Sequence, residues 1–127
     1  MSDAANLFDQ INQAGPEPSE MAKKHCAAVC VQDQPVAGKP FAVFVRVGGV
    51  PHPMENGHHI QFFDLFVEDL YVSRVSFIPL VNSPEATLYL TLAREGKTTL
   101  RVVSRCNLHG LWEGKRDVVV AAGVGRG

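Results

Sequence analysis

The sequence predicts an all-β protein, an immunoglobulin-like antiparallel β-sandwich of about seven strands. Three observations carry that reading. Seven β-rich runs follow one another, "CAAVCVQ", "FAVFVRV", "HIQFFDLFVED", "YVSRVSFIPLV", "EATLYLTLA", "TTLRVVSRC" and "DVVVAA". Gly, Pro, Asn, Asp or charge clusters break the chain between them. No convincing helix interrupts the series, and seven short strands at regular spacing is the count of an immunoglobulin-like sandwich.

Ahead of the first run, residues 4–13 read as a short helix. Leu7, Phe8 and Ile11 fall at helical spacing behind the capping candidate Asp3, and "AGPEPSE" then stops the helix. Residues 1–20 form an N-terminal extension on this reading, and residues 21–127 a single domain. The first run holds Cys26 and Cys30 four apart on one face, where both read as buried small hydrophobes. Between the fifth and sixth runs a hairpin is expected, with Arg94-Glu95-Gly96-Lys97 at its tip. The tail "GVGRG" reads as frayed.

A chain of 127 residues suits one hydrophobic core. The formal net charge of −1 lacks the basic excess of a nucleic-acid binder and any polybasic run for an anionic membrane. The N-terminus carries acidic residues where a secretion signal needs basic ones, and no apolar run approaches the ~20 residues of a membrane span. Those features predict a soluble cytoplasmic protein. Three cysteines argue against a disulfide framework and for metal binding or plain burial.

Five side chains stand apart. His52 and His58 make an H-x5-H pair across a Pro/Asn/Gly loop, "HPMENGHHI", and can converge if that loop folds back. Cys106 and His109 make a C-x2-H pair at the end of a strand, and His25 sits where the chain enters the first strand. All five lie at strand ends or loops, where a rigid sandwich presents ligands. Each also has a plain alternative. A lone His in a polar loop is usually solvated, which is the preferred reading of His59, the neighbour of His58 that should point to the opposite face. Cys is often simply buried. Four imidazoles and a thiolate together suit iron, copper or zinc rather than magnesium or calcium. Structural zinc closes at four ligands, so a fifth favours iron with one position open.

"HPMENGHHI" followed by "CNLHGLWE", with "KKH" upstream, resembles the paired signature of the superoxide reductases, the neelaredoxin and desulfoferrodoxin family. The resemblance covers residues 20–115. It implies an immunoglobulin-like sandwich holding one iron in a square pyramid, with His25, His52, His58 and His109 as equatorial ligands and Cys106 as the axial sulfur. The implied activity is one-electron reduction of superoxide to hydrogen peroxide. Backbone N–H groups of the Asn107-Leu108-His109 turn are spaced to hydrogen-bond the sulfur. Lys24 matches the family's lysine, which would attract the superoxide anion and hold a proton donor. Alone it reads as a surface lysine.

Lys23 stands where the family usually has a glutamate that closes the sixth position. Glu20 or Glu17 could substitute from the "GPEPSE" loop, but water or hydroxide there is the preferred reading. No cysteine precedes Cys26, so the family's N-terminal cysteine-rich iron module is absent from this sequence and electrons are expected from a rubredoxin-like donor. A homo-oligomer, dimer or tetramer, is expected from the resemblance. The rival from another class is a metal-free or zinc-stabilised carrier or binding module.

Overall fold

In a computed structural model, which describes residues 10–50 and 52–123, the chain forms eight strands and one short helix. They are β1 (Ile11–Asn12), α1 (Glu20–His25), β2 (Ala27–Cys30), β3 (Pro40–Val47), β4 (Ile60–Val67), β5 (Leu70–Ser76), β6 (Glu85–Thr91), β7 (Gly96–Cys106) and β8 (Gly110–Val120). Two sheets face each other. One has the order β1-β8-β7-β4-β5 and the other β2-β3-β6. All seven β-rich runs became strands, so the all-β sandwich stands.

The pleat explains the core. In β3, Phe41, Val43, Val45 and Val47 point inward, while Ala42, Phe44 and Arg46 alternate to the partly exposed face. Leu100, Val102 and Cys106 of β7 meet them from the other sheet. In β4, Ile60 and Phe63 are both fully buried although three apart. The ladder to β7 shifts register between Ile60 and Phe62, which restores the inward phase. Each such fully buried side chain contributes about 1.5–3 kcal/mol of transfer free energy.

Where β2 crosses β8 the backbones nearly touch. A Cβ built on Gly114 would overlap the carbonyl oxygen of Ala27. Gly114→Ala is therefore expected to destabilise the protein by about 3 kcal/mol or more, measured as a lowered urea midpoint.

Four expectations need correcting. The predicted hairpin does not form, because β6 spends its edge on β3, from Pro40↔Thr91 to Arg46↔Glu85. The chain then crosses to the other sheet, where β7 pairs with β4 and β8. The cysteines do not share a buried face. Ala27 and Val29 take the inward positions of β2, which leaves Cys30 exposed, and Cys26 is the partly buried residue capping the C-terminus of α1. A helix exists where none was expected. Ser19 caps it by accepting the Ala22 amide at 3.0 Å, with Glu20 in the first turn and Lys23, Lys24 and His25 in the last. Finally, at Ile11–Asn12 the chain is a strand parallel to β8 rather than a helix. The expected helix residues 4–9 and the tail from residue 124 lie outside the described residues.

Candidate metal centre

The end of α1, the loop before β4, the end of β7 and the turn to β8 bring the five singled-out side chains to one end of the sandwich. His25 is the last residue of α1, and helical spacing puts it on the buried face with Ala22. The end of α1 is held by a glycine turn after β3. Gly49 N–H donates to the Lys23 carbonyl at 2.7 Å and Gly48 N–H to the Cys26 carbonyl at 3.3 Å. Gly48 has φ of 91°, and a Cβ on it would overlap the carbonyl oxygens of Lys24 and Val50. Glycine is thus required twice over, by its dihedral and by the close approach. His52 and His58 flank the loop into β4. Cys106 ends β7, and His109 sits in the turn to β8.

The four imidazole rings form a closed cycle. Centroids are 4.8 Å apart for His25 and His52, 4.6 Å for His52 and His58, 5.1 Å for His58 and His109, and 4.9 Å for His109 and His25. The diagonal from His25 to His58 is longer, 6.5 Å. Neighbouring rings stand 70–77° to one another, as rings do when each turns one nitrogen to a common centre. One ligand atom from each of His25, His58, Cys106 and His109 lies within 4.8 Å of the others.

Hydrogen bonds orient the rings. Nδ1 of His25 lies 2.7 Å from the Met21 carbonyl and Nδ1 of His52 lies 2.8 Å from the Pro53 carbonyl. A carbonyl only accepts, so each Nδ1 carries the proton and each Nε2 lone pair faces inward. His109 turns its Nδ1 inward instead, 3.1 Å from His25 Nε2 and 3.4 Å from Cys106 Sγ. Trp112 braces two of the rings, stacking on His25 at 5.1 Å and donating its indole N–H to the His109 carbonyl at 2.9 Å. From sequence, Trp112 reads only as core packing. Its ligand-facing role depends on a ring-to-ring contact that spacing does not reveal.

Nε2 of His52 and of His58 are buried and have no hydrogen-bond partner among the described residues. Buried polar atoms are ordinarily paired, so two orphaned imidazole nitrogens beside the ring cycle fit a cation and speak against a metal-free module. Cys106 is fully buried. Burial pushes its thiol up, opposed by the backbone N–H groups of Leu108 and His109 and by the charge of Arg105. Of the three N–H groups expected to reach the sulfur, those of Leu108 and His109 do, whereas Asn107 N–H donates to the His59 carbonyl.

Burial also lowers His25, His52 and His109, with His52 taken to about 4. Burial thus favours the neutral, ligating form of these three imidazoles. The sign for stability follows directly. An unfolded His52 takes a proton near 6.5, whereas the folded one resists until about 4. The unfolded chain therefore binds more protons in that window and stability falls as pH falls through it. The metal-free protein is expected to lose urea resistance from about pH 6.5 to about pH 4, with denaturation series at stepped pH as the measurement.

A cavity of about 230 Å³ opens beside the cycle, lined by Lys24, His25, Val50, His52, Pro53 and His58. Lys24 is exposed at its mouth. Lys23 pairs with Glu20 at 3.3 Å, both exposed, and Glu17 is exposed. His59 is not part of the ring cycle. Its Nδ1 lies 3.1 Å from the Glu55 carbonyl.

Four imidazoles and a buried thiol converging at one end of a β-sandwich define a metal-binding protein with a nitrogen-and-sulfur donor set. The family model for desulfoferrodoxin matches residues 17–115, and the chain belongs to that family. A superoxide reductase of Pyrococcus abyssi is 38% identical over 87 residues, 60% of this chain and 73% of that protein. Among solved structures, the superoxide reductase (neelaredoxin) of Ignicoccus hospitalis superposes with a TM-score of 0.75 at 31% identity, covering 94% of this chain and 99% of that one. The superoxide reductase of Nanoarchaeum equitans gives 0.67 at 29% identity, covering 86% and 100%. The chain spans about half the length of matched proteins named desulfoferrodoxin or desulfoferrodoxin homolog.

Proposed function

We propose that this protein is a superoxide reductase, an oxidoreductase that adds one electron and two protons to superoxide to give hydrogen peroxide. The observation that carries the reading is the closed cycle of four imidazoles beside a buried thiol and a cavity with a lysine at its mouth.

The ion is taken to be iron. His25, His52, His58, His109 and Cys106 would hold it, a five-donor set of nitrogen and sulfur that suits iron better than four-coordinate zinc. When bound, it would supply the single electron, and the Cys106 thiolate would raise its electron density. The protein's own residues do the rest. Lys24 draws the anion into the cavity and holds a proton-donating water there. Val50 and Pro53 narrow the entrance. Glu20 lies at the surface beside Lys23, and no carboxylate among the described residues lines the cavity, so none is assigned to close it.

No helix among the described residues is long and apolar enough to cross a membrane. On the same reading the protein acts in the cytoplasm, receives its electron from a rubredoxin-like donor and assembles as a homo-oligomer, as the family resemblance implies.

Mixing pre-reduced protein with superoxide tests the activity. A reductase yields about one peroxide per superoxide consumed and a dismutase about half; the latter ratio would overturn the proposal. Replacing Lys24 with glutamine is expected to slow the second-order reaction about tenfold or more and to flatten its dependence on ionic strength, measured by pulse radiolysis at several salt concentrations.

A further inference from the structure

We propose that Asn107 is a positioning residue, whose side-chain amide sets the spacing between His58 and Cys106 before any ion arrives. The inference rests on the metal-centre reading above. It starts from the turn that carries His58. Glu55 and His58 exchange both backbone hydrogen bonds, at 2.9 and 3.1 Å, around Asn56-Gly57. That is a two-residue hairpin loop of the Asn-Gly kind, and it leads straight into β4.

The backbone ladder between β4 and β7 ends at the pair Ile60↔Cys106. Beyond that pair one residue continues it. Asn107 N–H donates to the His59 carbonyl at 3.1 Å, Asn107 Oδ1 accepts the His59 amide at 2.8 Å, and Asn107 Nδ2 donates to the Gly57 carbonyl at 3.1 Å. The side-chain amide thus binds the residues immediately before and after His58, using one donor and one acceptor at once. Asn107 opens the turn after β7, directly following Cys106 and standing two residues ahead of His109.

Three donors meet around this one residue, Cys106 from the end of β7, His109 from the turn that follows and His58 from the loop before β4. The chemistry calls for asparagine. Aspartate has no donor for Gly57, serine cannot reach both groups, and glutamine places the amide one methylene too far. A ligand frame fixed in the metal-free chain avoids ordering the loop on binding, and such outer contacts typically change metal affinity 10–100-fold.

The test uses Co²⁺ and the metal-free full chain, reading the thiolate-to-cobalt absorption band, with hydrogen exchange of the His59 amide and urea midpoints alongside. Asn107→Ala is expected to weaken Co²⁺ binding 10–100-fold and to speed His59 exchange. Asn107→Asp keeps an acceptor for that amide, so slow exchange is expected to return while affinity stays below the parent. Leu90→Val, in β6 and paired opposite Phe41, serves as a destabilised control. Parent-like Co²⁺ affinity in Asn107→Ala, or an equal loss in Leu90→Val, overturns the inference. If Cys106→Ser and His58→Ala bind Co²⁺ as the parent does, the metal-centre reading itself falls and the inference with it; loss of binding in both while Asn107→Ala is unaffected sinks only the role of Asn107.

Discussion

Cys106→Ser is expected to abolish the thiolate-to-metal absorption of the oxidised, iron-loaded protein and to lower superoxide reduction by about 100-fold or more, exceeding what loss of an outer contact does. Visible spectra and second-order rates measured on the same samples check it. The reasoning is local. Cys106 is fully buried and receives backbone N–H groups from Leu108 and His109, so the pocket is shaped for a large, polarisable anion. A serine hydroxyl is smaller, binds soft metals poorly and gives no low-energy charge-transfer band. The fold should survive, since a small buried group replaces another.

The second large effect lies outside the donor set. Gly48→Ala is expected to cost several kcal/mol of stability and to reduce metal content together. The positive φ alone costs about 1–2 kcal/mol for a residue with a Cβ. The added methyl would also overlap two carbonyl oxygens, those of Lys24 and Val50. Relief requires the end of α1 to move away from the glycine turn, and that end carries both Lys24 and His25. Chemical denaturation and metal analysis of purified protein provide the two readouts. Retention of full metal content with lowered stability would show that His25 is held by the ring cycle rather than by the turn.

The strands were legible because one-sided burial writes a period of two into the sequence, as in "FAVFVRV", and because Gly and Pro mark the breaks. Their pairing was less so. Nothing local in "EATLYLTLA" tells that its partner is β3 rather than the next strand, because the choice is made across the sandwich by two long-range edges. The helix at Glu20–His25 spans too few residues to show a period, and its one local signal, Ser19 as a cap, sat inside a segment that reads as a helix stop. Cys30 reads as buried only until Val29 is seen to take the inward phase. At the site, the five side chains were nameable from residue type and motif resemblance, since chemistry of this kind needs particular donors. Asn107 as a brace and Trp112 as a stacking partner were not, because an asparagine in a turn and a tryptophan in a strand each have commoner uses.

The contact between His25 and His109 joins residues 84 positions apart. An ion held between them would act on the unfolded chain as a cross-link acts, removing the freedom of that long loop. By the chain-entropy argument used for disulfides, closing a loop of this size is worth on the order of 4 kcal/mol. A protein without a single pair of bridged cysteines would thereby obtain, from a bound ion, the tethering that secreted domains obtain from sulfur. Loading and folding then become one linked equilibrium, and scarcity of the ion would thin the population of folded molecules as well as the population of active ones.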